Sequence, residues 1–130
     1  MVGVIYYRAN VVKYLTLIRG LPGAGKTSWM WSAIGDMLED YIAIATDDWF
    51  MVDDVYDFER IMKENPNALK ENHLKCQDRA ITAMEEGRRV FVNNTFTQRW
   101  EMEPYLVAAE KLGYRIDVVS LFDNGCTDEE

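Results

Sequence analysis

The segment from Gly20 to Thr27 has the residue types and the spacing of a loop that binds nucleotide phosphates. Its sequence, Gly-Leu-Pro-Gly-Ala-Gly-Lys-Thr, fits the pattern G-x-x-x-x-G-K-[ST]. In loops of this kind, successive backbone N–H groups surround the phosphates, and glycines allow close approach because they have no Cβ. The segment therefore predicts that the chain binds a nucleoside triphosphate.

Two side chains of this loop have predicted roles in chemistry. Lys26 is expected to reach the β- and γ-phosphates of ATP, and the Thr27 hydroxyl is expected to hold Mg²⁺. The alternative, a glycine-rich turn without a ligand, does not require Lys followed by Thr at these positions. The residues predicted to contact the nucleotide are Gly20, Leu21, Pro22, Gly23, Ala24, Gly25, Lys26, Thr27 and Ser28.

The elements on either side of the loop are those that a phosphate site requires. The run Tyr14–Arg19 is rich in β-forming residues and has the length of a strand. After the loop, apolar residues recur at helical spacing: Trp29, Met30, Ala33, Ile34, Met37 and Leu38. The order strand, glycine loop and helix places bound phosphates at a helix N-terminus.

Further strands and helices alternate along the chain, which predicts a parallel sheet covered on both faces. We predict an α/β, three-layer P-loop NTPase/kinase fold with a sheet of about four to five strands. It forms one domain over residues 1–130, with an N-terminal arm over residues 1–13. The strands are expected at Tyr14–Arg19, Tyr41–Ala45, Arg89–Asn93 and Arg115–Leu121. A helix is expected from about Leu69 to Glu86, with Leu74, Ala80, Ile81 and Met84 facing inward, and another from Pro104 to Leu112.

Polar residues follow the second and third predicted strands, at the edge where ligands of parallel sheets bind. Asp47 is the first acid after the second strand, and we predict that it is the general base and a magnesium ligand. The alternatives are a helix N-cap and a carboxylate that contacts magnesium only through a bound water. Asp48 is expected to cap a turn. The third strand ends in Asn93 and Asn94 without a carboxylate, so hydrolysis by a motor-type ATPase is not expected.

The composition bounds the class of protein. The chain has 130 residues and a net charge of −8, and residues 36–64 hold ten acids against two bases. We interpret this segment as an irregular solvated loop apart from its two strand-end acids, and a protein that tracks along nucleic acid usually has a basic stripe instead. Cys76 and Cys126 lack metal or redox spacing, which favours a cytoplasmic protein. No apolar run approaches the ~18 residues of a membrane span, and the N-terminus is not typical of a signal peptide.

Three segments resemble the polynucleotide-kinase-like P-loop proteins, particularly the branch related to NEDD4-binding protein 2. They are Arg19 to Thr27, Thr46 to Phe50 and Asn94 to Met102, with His73 between the last two, and the resemblance covers residues 14–123. It implies that Asp47 is the general base for a 5′-hydroxyl, and that Lys26 and Thr27 contact the phosphates and the metal.

The sequence departs from that family at several positions. Asn93 replaces the usual acid, Phe96 replaces the usual asparagine, and Phe50 lies where phage polynucleotide kinases have a substrate-binding arginine. Relatives continue into a lid helix that supplies an arginine to the phosphates, and we expect this lid to be missing because the sequence stops at Glu130.

We therefore predict an ATP- and Mg²⁺-dependent kinase that phosphorylates a hydroxyl, with the 5′-hydroxyl of a nucleic acid or nucleotide as the acceptor implied by the resemblance. The alternatives are a small-molecule kinase on the same fold and a nucleotide-binding module without catalysis. The oligomeric state stays open. The candidate acceptor-binding residues are Asp48, Trp49, Asn94 and Arg99.

Overall fold

The structure, a computed structural model, describes residues 13–21, 23–35 and 40–121. Within these residues the chain forms six strands, four α-helices and one 3-10 helix. In chain order they are β1 (Tyr14–Arg19), α1 (Lys26–Ile34), β2 (Tyr41–Ile44), the 3-10 helix (Thr46–Phe50), β3 (Met51–Val52), β4 (Val55–Tyr56), α2 (Phe58–Glu64), α3 (Ala68–Glu85), β5 (Arg89–Asn93), α4 (Arg99–Lys111) and β6 (Arg115–Ser120).

Four of the strands form a parallel sheet in the order β2-β5-β1-β6. Leu17 of β1 pairs with Val92 of β5 on one side and with Val118 of β6 on the other. Because the strands are parallel, the carboxyl ends of β1, β2 and β5 lie at the same edge of the sheet. The connection after β1 leads to β2 and the connection after β5 leads to β6, on opposite sides of these two central strands, which makes this edge the usual ligand site of an open α/β sheet.

The sheet is covered on both faces, so the fold has three layers. Leu15 and Leu17 of β1 are fully buried in a cluster that α3 and α4 complete, whereas Ile18 belongs to a second cluster with Met30 and Ile34 of α1. Alternate residues of a strand point to opposite faces, which explains why neighbouring residues of β1 enter different cores. The predicted α/β P-loop kinase fold, with four parallel strands, is confirmed.

Two details of the predicted helices are wrong. Helix α4 begins at Arg99 rather than at Pro104, because the Glu101 side chain accepts a hydrogen bond from the Gln98 N–H and closes a capping box before the proline is reached. Pro104 therefore lies inside the helix and removes one backbone donor. In α3, Ala80 and Met84 are buried as expected, but the Leu74 side chain is 54% exposed.

The acidic segment is more regular than predicted. It contains the 3-10 helix, a hairpin of β3 and β4, and helix α2. The hairpin turns at Asp53 and Asp54, whose φ angles are +51° and +64°. Phe50 is fully buried and packs against Phe58 with ring centroids 4.8 Å apart, so the segment has an aromatic anchor although its acids are mostly exposed.

Some predicted features lie outside the described residues. These are the N-terminal arm up to residue 12, Pro22 of the phosphate loop, and Met37 and Leu38 after α1.

Candidate functional site

The phosphate loop begins where β1 is held between its neighbours. The Gly20 N–H donates to the Thr95 carbonyl at 3.0 Å, which joins the loop to the chain that follows β5. A Cβ on Gly20 would lie 2.0 Å from the Leu121 carbonyl oxygen, a distance that no side chain permits. Glycine is therefore required at position 20 by close packing of the backbone, a reason that the motif alone does not reveal.

Two other glycines shape the rest of the loop. Gly23 and Gly25 have φ angles of +87° and +92°, in the left-handed region that glycine adopts without strain. The first backbone hydrogen bond of α1 runs from the Trp29 N–H to the Gly25 carbonyl, at 2.9 Å. The N–H groups of the first helical turn precede this bond and have no acceptor within the helix, so they are suited to bind an anion.

Lys26 lies over the loop and contacts its backbone. Its Nζ donates to the carbonyl oxygens of Gly20 at 2.7 Å and Leu21 at 3.1 Å. Burial lowers the pKa of Lys26 below its ordinary value, while the negative charge of Asp47 acts in the opposite direction. A partly desolvated ammonium group held by neutral carbonyls gains free energy when an anion comes within reach.

Thr27 faces the end of β5. The Asn93 Nδ2 donates to the Thr27 Oγ1 at 3.3 Å, and the Thr27 side chain is exposed. A hydroxyl oxygen at the start of α1, beside open space at Gly23 and Gly25, fits an ATP–Mg²⁺ complex in which the metal keeps several waters. The described residues contain no cluster of three or more His, Cys, Asp or Glu side chains that would hold a metal by themselves. That Thr27 and Asp47 contact Mg²⁺ stays a prediction.

Asp47 and Asp48 are neighbours in the 3-10 helix but have different contacts. The Asp48 Oδ2 accepts a hydrogen bond from the Ala45 N–H at 3.0 Å, which satisfies a donor at the start of the helix. The exposed Asp47 carboxylate accepts a hydrogen bond from the Tyr56 hydroxyl at 3.2 Å and lies close enough to Lys26 to affect its pKa. Asp48 is therefore occupied as a cap, and Asp47 faces the phosphate loop.

Asn94 acts behind the site rather than at its opening. Its Oδ1 accepts a hydrogen bond from the Thr46 N–H at 2.8 Å, and its Nδ2 lies 3.7 Å from the Cys76 sulfur. The Thr46 hydroxyl in turn contacts Nδ1 of the half-buried His73 at 3.2 Å. This buried network fixes the residue before Asp47 relative to β5 and α3. The pKa of the Cys76 thiol is raised by burial, so this cysteine stays neutral within the network.

The other two candidate acceptor residues lie apart from one another. Trp49 is half-buried and packs against the core under α3, while Arg99 is exposed at the first residue of α4. The structure brings Lys26, Thr27, Asp47 and Asn93 together at one edge of the sheet. Their catalytic and binding roles stay predictions.

Tyr56 is a site residue that sequence reasoning missed. It lies in the acidic segment that was interpreted as a solvated loop, and the chain separates it from Asp47 by the hairpin turn. The alternation of apolar residues in Met51-Val52 and Val55-Tyr56 around Asp53-Asp54 is a hairpin signal that was available in the sequence.

Comparisons with known proteins show the family and the fold. A family profile described as AAA domain matches residues 15–124. The human NEDD4-binding protein 2 is 33% identical over 103 residues, which are 78% of this chain and 5% of that protein. The chain therefore spans only about 5% of the length of this relative.

Solved structures share the fold. A chain in a Pnkp1/Rnl/Hen1 complex superposes with a TM-score of 0.59 at 14% identity, over 86% of this chain and 35% of that one. A chain in a second structure, of the Pnkp1/Rnl/Hen1 RNA repair complex, gives a TM-score of 0.57 at 14% identity, over 82% and 33%. At these identities the likeness establishes the fold alone. Across the described part of the chain, no helix has the length and apolar character needed to cross a membrane.

Proposed function

The chain belongs to the AAA domain family matched over residues 15–124, and from this premise we propose that it is an ATP-dependent phosphotransferase. It transfers the γ-phosphate of ATP to a hydroxyl group, and the 5′-hydroxyl of a nucleic acid or nucleotide is the acceptor. Mg²⁺ and a cytoplasmic location belong to the same proposal. The location rests on two cysteines without metal or redox spacing.

The observation that carries the proposal is that the exposed Asp47 carboxylate follows β2 at the same edge of the sheet as Lys26. These residues follow different strands, yet the carboxylate of one influences the pKa of the other. Lys26 belongs to the phosphate loop, so a carboxylate whose charge acts on it is on the side of the sheet where the phosphates of a bound nucleotide lie. A P-loop protein that only binds nucleotide needs no exposed carboxylate at this place, whereas a kinase needs a proton acceptor there.

In the proposed transfer, each step depends on a group in the site. The acceptor oxygen attacks the γ-phosphorus, its proton passes to the Asp47 carboxylate, and the bond between the γ-phosphorus and the β,γ-bridging oxygen breaks to release ADP. Lys26 and the N–H groups at the start of α1 stabilise the charge that develops on the phosphate oxygens. Mg²⁺ bound near Thr27 would neutralise further charge on the phosphates.

The acceptor is inferred from two kinds of support. The segments around Asp47 and Asn94 resemble polynucleotide-kinase-like proteins, and one structural neighbour belongs to an RNA repair complex. β5 ends in Asn93 without a carboxylate, which argues against a motor-type ATPase within the same family.

A small-molecule kinase is the second candidate, and the net charge of −8 favours it because a long polyanionic acceptor would be repelled. The test incubates the protein with γ-labelled ATP and Mg²⁺ and either a 5′-hydroxyl oligonucleotide or a panel of small hydroxyl compounds. Label on the oligonucleotide 5′ end supports the proposal. Label on a small molecule alone supports the second candidate, and ATP binding without transfer to any acceptor leaves a nucleotide-binding module.

A further inference from the structure

A groove runs between α3 and the outer edge of the sheet, beside the site but separate from the phosphate loop. Its volume is about 440 Å³, and Trp49, Lys75, Arg79 and Arg88 are among the residues that line it. The groove also contacts Ile42 of β2, the edge strand. None of these residues takes part in binding the nucleotide.

The groove begins near the proposed base. The hydrogen bond between Thr46 and His73 holds the start of the 3-10 helix against α3 at 3.2 Å. At about 100° per residue, Lys75 and Arg79 lie on a different side of α3 from His73, so the link between the site and these cations runs through Trp49. Trp49 follows Asp47 by two residues and lines the same groove. A molecule whose reacting end is at Asp47 would reach Lys75 and Arg79 by passing Trp49.

Two cations of the groove are available for a ligand. Lys75 and Arg79 are exposed and, among the described residues, form no ion pair or hydrogen bond. Arg88 is different, because it pairs with the Asp40 carboxylate at 3.0 Å and approaches Glu86 at 4.0 Å. Asp78 and Glu86 also line the groove, which leaves three cations against two acids in a chain of net charge −8.

The segment between Asp47 and α3 offers little to an acceptor phosphate. Phe50 is fully buried, and Arg60 forms ion pairs with Asp57 at 2.6 Å and Glu64 at 3.2 Å.

Lys75 and Arg79 are one turn apart on α3, so their charges lie on the same side of the helix. The indole of Trp49 packs against the core on one side and is partly exposed in the groove, as a surface for base stacking requires.

We infer that this groove binds the acceptor strand, a single-stranded nucleic acid with its 5′-hydroxyl at Asp47. Lys75 and Arg79 contact two successive phosphates, and Trp49 stacks on a base. This inference rests on the proposed function and names how its acceptor is held. The contact is short, so a few nucleotides at the 5′ end satisfy it, and the acidic remainder of the chain makes no further contribution.

Binding is measured first, because it does not depend on catalysis. Fluorescence anisotropy compares 5′-hydroxyl oligonucleotides of two, four and eight nucleotides, labelled at the 3′ end, over a range of salt concentrations. Two phosphate contacts with a single strand predict a slope of log K against log salt of about −1.4. Lys75→Gln with Arg79→Gln should weaken binding about tenfold or more and bring the slope close to zero.

A matched double variant controls for net charge. Lys63→Gln with Lys70→Gln removes two exposed cations that do not line the groove, and it should leave affinity and slope unchanged. In the kinase assay, the groove variant should raise the KM for the eight-nucleotide acceptor, while its kcat and the KM for a nucleoside 3′-phosphate stay the same. ATP affinity and thermal stability should match the parent in both variants.

The outcomes separate this inference from the proposed function. Equal weakening by the two double variants, or an unchanged salt slope, overturns the groove even if the oligonucleotide is phosphorylated. If the groove variant weakens oligonucleotide binding but no phosphate is transferred, the groove is supported and the proposed kinase activity is contradicted. If phosphate is transferred to small molecules and no oligonucleotide binds, both the nucleic-acid acceptor and its binding in the groove are contradicted.

Discussion

The phenol of Tyr56 donates a hydrogen bond to the carboxylate of Asp47, with Oη and Oδ1 3.2 Å apart. Burial, and then the charge and hydrogen bond of Asp47, raise the pKa of Tyr56, so the hydroxyl remains a donor at neutral pH. The Tyr56 ring stacks on Phe58 with centroids 6.0 Å apart. The contact therefore ties the hairpin β3–β4 to the proposed base. Within the described residues the other carboxylate oxygen accepts no hydrogen bond, so it can accept one from an acceptor hydroxyl.

Replacing Tyr56 with Phe should slow transfer without weakening ATP binding. The ring and its contact with Phe58 remain, while the hydrogen bond that orients the Asp47 carboxylate is lost. We expect kcat to fall by about tenfold, because one hydrogen bond to a charged group is removed. Steady-state kinetics with ATP and a hydroxyl acceptor measure the effect. Phe58→Leu, which disturbs the aromatic stack and keeps the hydroxyl, should be milder, and an unchanged kcat in Tyr56→Phe would show that Asp47 is oriented by other contacts.

Gly20 and Gly23 of the phosphate loop should respond differently to alanine. In Gly20→Ala the new Cβ would be 2.0 Å from the Leu121 carbonyl, so the end of β1 must shift, and we expect a loss of about 3 kcal/mol in the free energy of unfolding. In Gly23→Ala the Cβ has nothing within 4 Å, and the φ of +87° costs only about 1 kcal/mol. Urea unfolding measures both, and equal losses would contradict the packing explanation for Gly20.

The sequence pattern predicted the strands and the loop whose structure depends mainly on neighbouring residues. β1 and β5 have the predicted bounds, because a run of β-branched and apolar residues between turn residues specifies a strand without help from the rest of the chain. The glycine loop is equally local. The start of α4 was missed because Pro104 gave a strong signal, whereas the Gln98–Glu101 capping box gave a weaker one and determined the actual start.

Contacts between distant segments were not available from the sequence. The hydrogen bond from Tyr56 to Asp47 depends on a hairpin that folds back at Asp53 and Asp54. Asn94 was predicted to meet the acceptor, but its side chain turns inward and holds Thr46. Strand ends specify which residues share an edge of the sheet, yet the orientation of each side chain there depends on packing against α3.

ATP affinity should fall as the pH rises, because Lys26 loses its proton. Burial lowers the pKa of Lys26 in the free protein, and bound phosphates raise it. Above the lowered pKa, binding takes up a proton, so affinity falls as pH rises, by up to about tenfold per pH unit, until the pKa of the bound lysine is passed. Calorimetry between pH 7 and about 10, in buffers of different ionisation enthalpy, measures the proton uptake.

Lys26→Arg provides the control for this titration, because a guanidinium stays protonated over the same range. Its ATP affinity should be weaker than that of the parent, since the arginine side chain does not match the contacts of Lys26 with Gly20 and Leu21, but it should not vary with pH. A parent protein whose affinity is also constant would show that Lys26 does not exchange its proton on binding.

Asp47→Asn separates catalysis from binding, because it preserves the shape of the side chain and removes the proton acceptor. A general base contributes about 10²–10⁴-fold to transfer, so kcat should fall by that factor. ATP–Mg²⁺ affinity should stay within a few-fold of the parent, since the phosphates are held mainly by Lys26 and the loop. Asp48→Asn is the matched variant: its carboxylate accepts the Ala45 N–H, so it should lose about 1 kcal/mol of stability and keep most of its transfer activity. Transfer rates from labelled ATP, binding by calorimetry and urea unfolding measure the three effects. Equal rates for Asp47→Asn and the parent would remove Asp47 as the base and, with it, the proposed mechanism.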